Sequence, residues 1–157
     1  MSARAAGLMD RITRQIDEIA RLFAGLAKSD LPKPHPEREG RTLGEAAAHI
    51  AEGYHYLARF LRGSGHGPGA RSGEGIHGRG PAPTLPELCK RLAEARPEVR
   101  IVGDLTDEQL DSVPPPKSSR FSDGRRTLEQ VIEEVIAHQA GHLAELERAL
   151  ASPVRAV

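Results

Sequence analysis

Residues 127–150, TLEQVIEEVIAHQAGHLAELERAL, decide how this chain is read. The stretch has the length and rhythm of one long helix. Leu128, Ile132, Val135, Leu146 and Ala149 recur at i, i+3/i+4 spacing and form a single apolar stripe. His138 and His142 fall on that stripe. Their spacing of four stacks two imidazoles on one helical face, with Cβ atoms roughly 5–6 Å apart. A polar group buried without a partner costs roughly 2–7 kcal/mol. Each ring therefore needs a hydrogen bond, or both need one metal ion.

Working outward, Thr42-Leu-Gly-Glu45 reads as a T-x-x-E capping box that opens a helix running to about Leu61. Its inward stripe is Leu43, Ala46, His49 with Ile50, Gly53, Leu57 and Phe60, so His49 also faces the core. His55 lies about 120° around the helix from His49 and is expected at the surface. Tyr54 and Tyr56 are expected in packing or at the rim. Upstream, Leu8, Ile12, Ile16, Ile19, Phe23 and Leu26 predict a first helix over about residues 5–28, ended by the proline run Leu31-Pro-Lys-Pro-His-Pro36. His35, between two prolines, is expected in an exposed loop.

Residues 63–83 are Gly/Pro-rich and read as a long flexible loop. They hold no phosphate-binding fingerprint, and His66 and His77 are read as loop residues. Thr84-Leu-Pro-Glu87 opens a third helix with the stripe Leu85, Leu88, Leu92, Ala95, Val99 and Val102. Pro97 lies inside that stripe, and the phase survives it, which predicts a kinked or briefly broken helix. Cys89 borders the stripe and is expected to be a buried, inert thiol. Thr106-Asp-Glu-Gln109 opens a short helical turn. Residues 111–126 are irregular or weakly extended and cross to Thr127-Leu-Glu-Gln130, the last box. Four substantial helices without a convincing strand predict an all-α four-helix bundle, one domain over residues 1–157, with a crossover segment before the last helix.

Composition narrows the function. Lys plus Arg number 22 and Asp plus Glu number 22, so no net positive field favours nucleic acid. A single cysteine excludes an intrachain disulfide and fits a reducing, cytoplasmic compartment. No apolar run approaches the ~18 residues of a membrane helix. The amphipathic start contains Asp10, Asp17 and Glu18, unlike an acid-poor transit peptide, and reads as a structural helix.

If the second and last helices are neighbours, His49, His138 and His142 converge. Three neutral nitrogen ligands suit Zn²⁺, Ni²⁺ or Fe²⁺ and leave positions open, as in a catalytic site. Such an ion lowers the pKa of water or binds a thiol as thiolate. Glu52, Glu134 and Glu145 lie near the histidines in sequence and are available to orient a ring or accept a proton, with Glu52 preferred. A zincin is excluded, because Gln139 occupies the glutamate position of H-E-x-x-H. A di-iron bundle is excluded by the lack of inward glutamates. Serine-hydrolase chemistry is excluded by the lack of a G-x-S-x-G elbow.

The segments TLGEAAAHIAEGYHYLARFL and TLEQVIEEVIAHQAGHLAEL, with LTDEQLDSVPPP between the third and last long helices, resemble the DinB-like (DinB/YfiT) superfamily. The resemblance implies a four-helix bundle with a histidine triad, matched here by His49, His138 and His142. It implies a divalent metal such as nickel or zinc, a homodimer, and chemistry like that of thiol-dependent S-transferases and isomerases that use a low-molecular-weight thiol. Where relatives often carry an aromatic residue before the second and last helices, this chain has Arg41 and Arg126. Two functions follow. One is a metal-dependent transferase or hydrolase acting on a small molecule, with Glu52 as base. The other is a non-catalytic metal-binding or dimerising module linked to stress.

Overall fold

The computed structural model describes residues 2–63 and 82–152. Among the described residues there are five α-helices: α1 Ala3–Ala24, α2 Leu43–Leu61, α3 Leu85–Glu98, α4 Asp107–Asp111 and α5 Leu128–Ala151. Two 3₁₀ turns, Lys28–Asp30 and Val99–Asp104, follow α1 and α3. Among the described residues there is no strand, only an isolated bridge between Pro34 and Thr42. Most of the Gly-rich stretch, with His66 and His77, lies outside the described residues. No described helix is long and apolar enough to cross a membrane.

The helix starts are written in the threonines. Thr42, Thr84, Thr106 and Thr127 each accept a hydrogen bond from the amide three residues on, satisfying an orphan donor of the first turn. Gln109 and Gln130 return the bond at Thr106 and Thr127. At Thr42 and Thr84 only the hydroxyl half of the box forms. The first helix ends earlier than the apolar rhythm suggests. Gly25 caps it, its N–H bonded back to the Arg21 and Leu22 carbonyls, and Leu26 joins the core from outside the helix. Across Pro97 the backbone stays α-helical to Glu98 and then tightens into 3₁₀. The missing proline N–H releases one ladder bond, while Ala95, Val99 and Val102 remain buried on one side.

α2 packs against both α3 and α5, and α1 packs against the same two helices. α2 is therefore buried around most of its girth. Ala47, Ala48, Ala51 and Ala58 are all buried and let neighbouring backbones come close. This corrects the expectation for His55, which is 1% exposed because α3 covers the face it occupies. Tyr54 is fully buried. Two further expectations fail. His35 is buried, its Nδ1 accepting from the Glu37 amide, because its loop folds back onto the helices. Cys89 is exposed: it sits just off the buried stripe, on the solvent side.

Buried amides tie the helices together. Tyr54 Oη donates to Gln15 Oε1 at 2.6 Å, and Gln15 Nε2 donates to the Ile136 carbonyl at 2.9 Å, linking α2, α1 and α5. Gln139, 1% exposed, donates to the Ile50 carbonyl at 2.7 Å and joins α5 to α2 directly. Gly53 permits this approach, since a Cβ there would meet the Gln139 amide at 2.6 Å. On α5 itself, a Cβ at Gly141 would meet nothing within 4 Å. Gly53→Ala should therefore lose up to about 2 kcal/mol, since the overpacking penalty of about 1–3 kcal/mol is offset by a helix-propensity gain of only about 1. Gly141→Ala should gain about 0.4–1 kcal/mol. Chemical denaturation of the two variants checks the opposite signs, and equal effects would contradict the packing described.

Candidate metal centre

α2 supplies His49, and α5 supplies His138 and His142 one turn apart. One ligand nitrogen from each lies within 4.8 Å of the other two. The His49 ring centroid is 6.0 Å from that of His138 and 4.7 Å from that of His142, and the His138 and His142 centroids are 4.3 Å apart. Phe121, from the segment before α5, packs edge-on against His138 at 5.4 Å. All three imidazoles are half-buried. Beside them is a small cleft of about 30 Å³, lined by His49, Glu52, Gly53, Tyr56, Arg120, Phe121, Val135, His138 and Gln139.

The donor set fits a divalent ion. The Nε2 atoms of His138 and His142 are 2.9 Å apart, which two neutral rings satisfy with one donor and one acceptor. Two nitrogens bound tetrahedrally to zinc at ~2.0–2.1 Å would stand about 3.3 Å apart, so the pair needs to open only slightly. Desolvation, joined by the charges of Arg120 and Arg38, holds His138 below the usual histidine range. Desolvation, then the charge of His138, holds His142 down to about 4. Both rings are thus neutral near pH 7, with lone pairs available for a cation.

The supporting carboxylates divide sharply. Glu134 points to solvent. Glu145 stands 3.9 Å from His142 Nδ1, but its two oxygens are bound by Arg38 at 3.0 and 2.9 Å. Glu52 lines the cleft, yet both its oxygens are held by Arg91 of α3 at 2.9 and 2.6 Å. Burial pushes Glu52 upward, but the Arg91 hydrogen bonds and charge outweigh it and leave the carboxyl below its ordinary value. His55 extends the same α2–α3 seam, its Nδ1 2.7 Å from Glu98 and its Nε2 2.7 Å from the Arg91 carbonyl.

Arg120, Phe121 and Gln139 line the site without a motif to announce them. The first two depend on a turn. Lys117, at φ 67°, donates its N–H to the Ser122 carbonyl at 3.0 Å, and the buried Ser119 and Ser122 hydroxyls pair at 2.5 Å. Arg41 and Arg126 do not line the cleft; Arg126 instead donates to the Phe121 carbonyl at 3.1 Å and steadies the turn.

The described residues form an all-helical scaffold that brings three imidazoles from two helices close enough together that they could hold one metal ion. The chain belongs to the DinB superfamily, whose family model matches residues 11–146. No curated protein and no solved structure matches it.

The Glu52–Arg91 pair has a pH signature. The folded-state pKa of Glu52 is depressed from 4.5, so its stabilisation is complete above that value and is lost as pH falls through the folded pKa. Glu52→Gln should cost about 1–3 kcal/mol at pH 7, and the difference from wild type should shrink below pH 4.5. Urea denaturation at pH 7 and pH 3.5 measures it. An equal difference at both values would mean that the carboxylate charge does not hold the seam.

Proposed function

We propose that this protein is a metal-dependent enzyme acting on a small molecule, with a divalent ion held by His49, His138 and His142. The observation that carries the reading is the convergence of three ligand nitrogens within 4.8 Å at the edge of a cleft. Proteins of this superfamily often bind metals, which supports it. The scaffold is read as a four-helix bundle of α1, α2, α3 with its 3₁₀ extension, and α5, with α4 inside the crossover. When bound, the ion supplies Lewis-acid polarisation, suited to thiol-dependent group transfer or hydrolysis. Zinc and nickel match three imidazoles best.

The chain's own residues do the rest. The neutral rings of His138 and His142 present nitrogen donors at neutral pH. Tyr56, Phe121 and Val135 wall the cleft and restrict water around the reacting group. Glu145 stands 3.9 Å from His142 Nδ1, beyond hydrogen-bond reach, and places a negative charge beside that ring while Arg38 holds the carboxylate in place. Glu52, kept ionised by Arg91, ties α2, which carries His49, to α3. A carboxylate held in a bidentate pair with depressed pKa is a weak proton acceptor.

That same pairing favours a second reading, a metal-binding module without turnover, because it occupies the acid that lines the cleft. A screen of low-molecular-weight thiols against electrophiles separates the two. The shared core is tested by elemental analysis of untagged protein exposed to Zn²⁺ or Ni²⁺ and then desalted. One ion per chain is expected, lost in the combined His138→Ala and His142→Ala variant. Free metal at 100 times Kd should also stabilise the wild type by about 2.7 kcal/mol in thermal melting, and not the double variant. Only a trace of retained metal in the wild type would remove the proposal.

A further inference from the structure

Gln139 carries one polar atom that its link to α2 does not use. Its Nε2 donates to the Ile50 carbonyl at 2.7 Å. A carbonyl only accepts, so this bond fixes which end of the amide is nitrogen. The second Nε2 hydrogen goes to the Tyr54 hydroxyl oxygen, which gives its own proton to Gln15 Oε1 at 2.6 Å. Both amide hydrogens are therefore committed. Among the described residues no donor meets Gln139 Oε1. The side chain is 1% exposed, yet that oxygen is not sealed off, because Gln139 lines the cleft beside His49 and His138. Gly53 lines the same cleft, and a Cβ there would stand 2.7 Å from Oε1, which puts the oxygen at the cleft wall.

Tyr56, also in the cleft wall, offers the complement. Its Oη accepts from the Arg120 amide at 2.9 Å, and its own O–H meets no acceptor among the described residues. The cleft they border measures about 30 Å³. A water needs roughly 10–15 Å³ of such space and roughly two to four polar partners. The cleft therefore suits one water, two at most, and no carbon skeleton. A water can donate to Gln139 Oε1 and accept from Tyr56. A thiolate sulfur only accepts and would leave Oε1 unmatched. An amide oxygen accepts a hydrogen bond without taking the proton, so Gln139 can orient a water but cannot serve as its base.

Resting on the metal-centre reading for what the cleft adjoins, we propose that the cleft is a water site and that Gln139 is its positioning residue, holding one water by Oε1 beside the imidazoles. Of the two chemistries in the proposed function, this arrangement supports hydrolysis over thiol transfer on this face of the site.

Crystal structures of the full chain, metal-free and zinc-soaked, at a resolution that shows ordered solvent, test the proposal. The metal-free protein should show a water within about 3.2 Å of Gln139 Oε1 and of Tyr56 Oη. A soak in mercaptoethanol should leave that water in place. In solution, relaxation dispersion of the water oxygen should count at least one more long-lived water in wild type than in Gln139→Met. No water at Oε1 overturns the proposal, as does a protein donor or a sulfur in its place, or equal counts in the two proteins. If Gln139→Met does not fold, the wild-type structures decide alone. Zinc content is read on the soaked crystals. A wild type that holds no zinc removes the metal centre by itself, while the metal-free structure still decides the water.

Discussion

The close approach of α2 to α5 at Gly53 and Gln139 is the constraint on which the site depends. A methyl group at residue 53 would meet the Gln139 amide at 2.6 Å, and that amide is itself spent on the Ile50 carbonyl. His49 lies one turn before Gly53, and His138 directly precedes Gln139. The contact that sets the spacing of the two helices therefore also sets the distance between their imidazoles. Gln139 occupies the position where a zincin would carry its general base. Here the residue is a buried strut between helices, so the H-x-x-x-H pair lacks the base of a zincin.

Around that contact the fold divides its polar groups by task. Along the α2–α3 seam, Glu52 with Arg91 and His55 with Glu98 hold α3 against the back of α2. On the other side, Arg38 with Glu145 and Arg148 with Glu37 pin the 32–41 loop to the last two turns of α5. Surface pairs of the latter kind are worth about 0–1 kcal/mol each, so they define geometry more than stability. Their effect is to fold the loop over His35 and to set a cation and a carboxylate beside His142. Arg38, like Arg91 behind Glu52, is thus already paired.

Much of this was legible in the sequence. Four Thr-led helix starts follow from capping residues, the apolar stripe of α5 and the facing of His49, His138 and His142 follow from helical periodicity, and the imidazoles do converge. The misses have separate causes. A single stripe per helix assumes one buried face, yet α2 meets several neighbours, and its alanines give no clear direction, so periodicity puts His55 outside although α3 covers it. Cys89 sits at a stripe border, where a small rotation decides burial. The prolines around His35 say nothing of the ion pairs, more than 100 residues apart in sequence, that pin its loop to α5. Arg120 and Phe121 lie in an irregular segment with no period to read, and only the tertiary turn brings them to the histidines.

Under the proposed function, three imidazoles, one from α2 and two from α5, share a single ion. X-ray absorption spectroscopy of the zinc-loaded protein tests it most directly, because imidazole ligands give a recognisable outer-shell scattering pattern. Three imidazoles per zinc are predicted, falling to two in each of His49→Ala, His138→Ala and His142→Ala where metal is still held. A spectrum without imidazole scattering, or one unchanged by all three substitutions, would contradict it.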